Sequence, residues 1–207
     1  MNVLKVLVLA LEGVVQTVGL RVGVEQPAYR TLLHESRLEL REYAPRLVAE
    51  TVVSGEAEAA RSAGFRRVAG YIFGGNHRRE QVAMTAPVTQ ARGEAIAMTA
   101  PVVQAPATAA GEWRIQFVMP TKYRRVEDLP RPDDPSVRIV EEPAARYAVR
   151  RFSGSRSPSA VAVQTSALLR DVAAKGWKPI GAPLAWFYDP PWTIPIARRN
   201  EVAVQVE

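Results

Sequence analysis

Cysteine is absent from the 207 residues, which removes disulfides, thiolate nucleophiles, cysteinyl zinc sites and iron–sulfur clusters from consideration. Histidine occurs only as His34 and His77, so a multi-histidine metal site is excluded as well. Lysine is confined to Lys5, Lys122, Lys175 and Lys178, and the net charge of +6 therefore rests mainly on arginine. Arginine's planar fork matches carboxylate or phosphate oxygens, which admits an anionic partner. Its scatter along the chain as short pairs, such as Arg66-Arg67 and Arg198-Arg199, does not mass into the stripe that a nucleic acid would need.

Long hydrophobic runs are also lacking. The Val- and Leu-rich start, Val3 to Leu20, holds an uninterrupted apolar run only from Val6 to Leu11 and is followed by no A-x-A cleavage pattern. Glu12 in its middle would cost roughly 2.5 to 3.5 kcal/mol in a bilayer. Lys5, Glu12 and Gln16 form one polar stripe at helical spacing. Residues 1–28 are therefore expected to be an amphipathic helix and linker that docks on its own domain, on a second copy or on a membrane face. The expected location is the cytoplasm, with membrane association or export as alternatives.

What the chain does contain is a duplication. LELREYAPRLVAETVVSG (Leu38 to Gly55) aligns without a gap on VRIVEEPAARYAVRRFSG (Val137 to Gly154) at an offset of 99 residues. Glu42 matches Glu141, Ala49 matches Ala148, and Ser54-Gly55 matches Ser153-Gly154. Each copy reads as a strand, a break at a central proline (Pro45, Pro143), and a second strand. Each is followed by a helical pattern: Ala59, Ala63, Phe65 or Arg66 and Ala69 in the first, ending at Gly74-Gly75; Val161, Leu168 and Val172 in the second, opening at Ser157-Pro158 and ending at Gly176. Two further strand-like runs close each half: QVAMTAPVTQ through EWRIQFVMP, and LAWFYDPPW through NEVAVQVE. Halves of about 29–120 and 137–207, joined by the proline-rich TKYRRVEDLPRPDDPSV, should merge their sheets into one α+β body.

The pentapeptide MTAPV appears twice, at Met84 to Val88 and Met98 to Val102. Neither copy offers a nucleophile with a base, so wall or scaffold is the expected role, with Pro87 and Pro101 at sheet edges or bulges.

GYIFGGN, VAMTAPV, IAMTAPV, FVMP, LPRPDDPSVRI, YAVRRFSG and YDPPWTIPIARRNEV resemble, in order and spacing, the SOUL haem-binding protein family from about Tyr29 to Val206. The doubled MTAPV resembles its bacterial branch. The resemblance implies a distorted β-barrel-like fold of two pseudo-symmetric β-rich halves, each carrying one helix, in a domain spanning 29–207, to which the N-terminal amphipathic helix is added. It also implies a haem or other tetrapyrrole ligand held by the first helix and the loop before the last strand. On this sequence those positions are Phe65, Val68, Ala69 and Phe73, and Trp192, Ile194 and Ile196, with Arg66, Arg67 and Arg198 as propionate partners. Some relatives carry a histidine where Glu42 precedes Tyr43, so His77 in GGNHRRE is the candidate iron ligand, ahead of His34.

The expected function is a non-enzymatic tetrapyrrole carrier or buffer. One alternative is an enzyme that hydrolyses or dechelates a small molecule with a buried carboxylate of raised pKa, drawn from Glu42, Glu141 and Glu201. The other is an effector-binding module, which lacks the helix pair for DNA. Nucleic acid is not an expected partner; a membrane surface or a second copy, met through the N-terminal helix, is.

Overall fold

The computed structural model describes residues 24–77 and 93–207. The N-terminal amphipathic segment and the first MTAPV lie outside the described residues. Strand β1 (Tyr29–Glu35) is followed by β2 (Leu38–Tyr43), β3 (Arg46–Ser54), helix α1 (Ala57–Ile72) and β4 (Asn76–His77). Then come β5 (Val102–Pro106), β6 (Glu112–Val118), β7 (Arg131–Pro132), β8 (Arg138–Glu142) and β9 (Ala145–Phe152). Helix α2 (Pro158–Ala174), β10 (Pro179–Phe187) and β11 (Asn200–Val206) complete the order.

Nine strands form one sheet in the order β1-β2-β9-β11-β10-β5-β6-β3-β8, and β4 pairs with β7 apart from it. Exchanging β2 with β8, β3 with β9, β5 with β10 and β6 with β11 leaves the order from β2 to β8 reading the same from its other end. The first strand of each half pairs with the second strand of the other: Leu38–Tyr43 runs against Ala145–Arg150, and Arg138–Glu142 runs against Arg46–Glu50. The break at Pro45 and Pro143 permits this, because each proline lets the chain leave one half's sheet and enter the other. Gly55 and Gly154, the last matched pair, both hold a positive φ (+122° and +96°), a region that disfavours side chains and accounts for glycine ending both copies.

The sheet is not closed into a barrel as the sequence had suggested. Among the described residues β1 and β8 are its free edges, and both carry charge: Arg30 and Glu35 on one, Arg138, Glu141 and Glu142 on the other. Charged edges resist the further pairing that closure requires.

Both helices lie on one face. Helix α1 buries Ala60, Gly64, Val68 and Ile72 rather than the Ala59–Ala63 stripe expected, and Val68 and Ile72 join Leu47, Ile115 and Phe117 in a first core. The shift of one residue follows from Gly64: a Cβ there would lie 2.4 Å from Cγ1 of Ile115, so only glycine allows this approach. Helix α2 packs Leu168 and Val172 on Ala148, Val202 and Val204 in a second core. On the opposite face Tyr43, Tyr147 and Trp186 meet edge to face, with centroids 5.5 to 5.8 Å apart.

Candidate functional site

Helix α1 and the segment between β10 and β11 come together through arginines. Arg61, one turn before Phe65, lies over the Phe187 ring at 4.6 Å and reaches the carbonyl of Arg156 and the side chain of Gln104. Arg156, just ahead of α2, lies 5.9 Å over the same ring and donates to the carbonyl of Asp189. Arg198 braces the loop from within by donating to the carbonyls of Pro191 and Thr193. Burial, then the charges of Arg61 and Arg198, push Arg156 down to about 10, and burial also lowers Arg61. A guanidinium so depressed is one whose charge is poorly compensated. Among the described residues the nearest acid to Arg61 is the exposed Glu58, at 3.8 Å.

Large apolar side chains of α1 and of the loop before β11 face water. Phe65 is 38% exposed, Phe73 66%, Trp192 60%, Ile194 42% and Ile196 84%. Phe65 rests one side of its ring on Phe117 at 5.4 Å. The loop is tied to the α2 side by the Gly154 N–H on the carbonyl of Pro195. Of the residues named from sequence, Val68 and Ala69 are buried and serve the packing of α1. Arg66 is exposed, whereas Arg67 donates to the carbonyl of Val52. His77 lies beyond the C-terminus of α1 with Nδ1 2.7 Å from Asp133 Oδ1. His34 is remote from α1, on edge strand β1. Sequence reading missed Arg61 and Arg156; the four-residue spacing from Arg61 to Phe65 was the available signal for the first, since it places both on one helical face.

The second polar centre lies on the face away from the helices. Glu201 on β11, fully buried, accepts from Arg41 at 2.8 and 3.0 Å, from Arg199 at 2.9 Å and from the Tyr188 hydroxyl at 2.8 Å. Burial alone would raise its carboxyl, but the hydrogen bonds and charges of the two arginines outweigh it and hold Glu201 below the usual carboxylate range. Arg30 and Arg146 likewise lower Glu42. The raised carboxylate pKa that the enzyme alternative requires is found at neither. Asp189 accepts from the Arg199 backbone N–H and so organises the turn before β11.

Beside this network a cavity of about 260 Å³ opens between residues 25–28, the β2–β3 turn and the end of β6. Thr99 and Pro101 of the second MTAPV line it and its inner recess, and the Thr99 hydroxyl donates to the carbonyl of Val118. This copy forms part of a cavity wall. Among the described residues no cluster of His, Asp or Glu could hold a metal ion, and no helix is long and apolar enough to cross a membrane.

No curated protein matches the chain. Among solved structures it is similar to the C-terminal domain of EcmrR, at 11% identity and a TM-score of 0.57, over 86% of this chain and 98% of that one. A hydrolase from Listeria innocua gives 9% identity and a TM-score of 0.52, over 85% and 94%. An uncharacterized conserved protein from the same organism gives 10% and 0.51, over 83% and 92%. Identities this low speak for the fold alone. The model of the SOUL heme-binding protein family matches residues 24–205, both halves from β1 to β11, and the chain belongs to that family.

Proposed function

We propose that the protein binds haem or a related tetrapyrrole against α1 and the Pro190–Ala197 loop, as a carrier or buffer without turnover. The observation that carries this reading is the grouping of Arg61 and Arg156, both lowered by burial and the second also by the charges of Arg61 and Arg198, with exposed Phe65, Trp192, Ile194 and Ile196. A tetrapyrrole is a flat apolar disc with carboxylates on one edge. Its carboxylates would relieve the crowded guanidiniums while its rings cover apolar side chains that water now meets. Arg66 is a further cation at the rim. His77, held at Nδ1 by Asp133, lies beyond the opposite end of α1 from Arg61, roughly 18 Å or more along the helix axis, so a ring whose carboxylates meet Arg61 and Arg156 takes no iron bond from it.

Titration with hemin and with the iron-free porphyrin, read in the Soret band, tests this. Saturable one-to-one binding is expected, weakened about tenfold in Arg61→Met and again in Arg156→Met, since a charge-assisted hydrogen bond contributes roughly 1.5–3 kcal/mol. His77→Ala should leave the hemin spectrum and the binding of the iron-free ring unchanged, and a changed hemin spectrum would move the ring to the other end of α1. Unchanged affinity in the Arg61/Arg156 double variant, or no saturable binding of either compound, overturns the reading.

A further inference from the structure

The 260 Å³ cavity lies across the sheet from α1. Ile115 and Phe117 of β6 pack toward the helix, while Val118 and the β2–β3 turn line the cavity. A recess of about 10 Å³, room for no more than a water, adjoins it at Tyr43 and Arg46 and is closed by Trp186 and Tyr188. Arg46 sits over the rings of Tyr43 at 4.8 Å and Tyr147 at 5.8 Å, and its Nε donates to Glu142 at 2.8 Å. Among the described residues its two terminal nitrogens make no hydrogen bond. Trp186, 2% exposed, has an indole N–H with no partner at all. A buried donor without an acceptor costs about 1–3 kcal/mol, as the Trp186 N–H does here, whereas the free nitrogens of Arg46 reach solvent and stand open to a ligand.

We infer that this cavity is a second ligand site, separate from the tetrapyrrole surface, which takes a small aromatic carboxylate. The ligand's oxygens would meet the terminal nitrogens of Arg46, and its ring would lie among Tyr43, Val118 and Tyr123. The aromatic walls would suit a cation equally well in isolation. Arg46 already fills that position on Tyr43 and Tyr147, so a second cation at the inner end meets like charge. Glu25, Glu141 and Arg124 also line the cavity, but all three are exposed at its mouth, where water and salt screen them. The volume lies just under the ~300–1,000 Å³ typical of ligand pockets, which limits the occupant to one or two fused rings.

The test is calorimetric titration with 2-naphthoate and, as its cationic counterpart, 2-naphthylmethylammonium, with and without saturating hemin. One-to-one binding of the carboxylate is expected, indifferent to hemin. Arg46→Met should weaken it at least about tenfold, in line with the loss of a charge-assisted hydrogen bond, and Trp186→Phe in the adjoining recess should leave it unchanged. Arg46→Lys, which keeps the charge and loses the fork, should fall between wild type and Arg46→Met. Thermal unfolding midpoints confirm that the variants are folded. The proposal fails if the carboxylate does not bind, if the ammonium binds as well, if hemin displaces the carboxylate, or if folded Arg46→Met keeps wild-type affinity.

Discussion

In the first half α1 meets β3 and β6 through Ala60, Gly64, Val68 and Ile72, with glycine at the closest point. In the second half α2 stands on β9 and β11 through Leu168 and Val172, and Arg150 bridges to Gln164 and Asp171 on the helix. The opposite face differs as well. The first half fills it with a ladder in which Gln116 joins Glu50 and Glu142, closed by the exposed Arg138 and the half-buried Arg46. The second half holds the Tyr147–Trp186 cluster there and a sealed ion network around Glu201. One chain path thus carries two chemistries: α1 approaches its strands at Gly64 and bears Arg61 and the exposed Phe65, whereas α2 is tied to β9 through Arg150.

The sharpest way to break that comparison is to remove one carboxylate from each half. Glu201→Leu should destabilise by about 3–5 kcal/mol, because Arg41 and Arg199 would be left buried without their partner. Glu50→Gln, with Arg138 free to solvate, should lose only about 1 kcal/mol. Chemical denaturation of both variants measures the difference, and equal losses would show that the second network is no more sealed than the first. The same carboxylate sets an acid limit. Its folded pKa lies below the ordinary 4.5, so its contribution is fully present above that value and is lost as pH falls through the folded pKa. Glu201→Gln should flatten the fall in stability below about pH 4.

The helices give a smaller contrast. Gly64→Ala should destabilise by about 1–3 kcal/mol through the clash with Ile115, whereas Gln164→Ala on α2 should stay within about 0.5 kcal/mol. Thermal unfolding of the two variants decides whether the close approach is specific to α1. Smallest is the difference in capping: Ser157 caps α2 by accepting from the Ala160 N–H, while Glu56 makes no side-chain cap for α1. Ser157→Ala should lose about 1 kcal/mol and Glu56→Ser should gain up to about 1 kcal/mol, measured by denaturant midpoints.

The sequence by itself determined the local pieces. The 99-residue repeat located β2–β3 and β8–β9 with their proline breaks, because strand alternation and proline act within a few residues. Ser157-Pro158 and Gly176 marked the ends of α2 for the same reason. The exposed loop residues Trp192, Ile194 and Ile196 were also legible, through the motif they occupy. Tertiary structure alone decided the rest. That β2 would pair with β9 and β8 with β3 depends on contacts about a hundred residues apart, which no local pattern encodes. Pairing across the halves brings Arg41 to Glu201 and Arg46 to Tyr147, and the meeting of α1 with the loop before α2 sets Arg61 beside Arg156. A charge's role follows from its burial and from which charge it faces, and both are fixed only when the two half-sheets join.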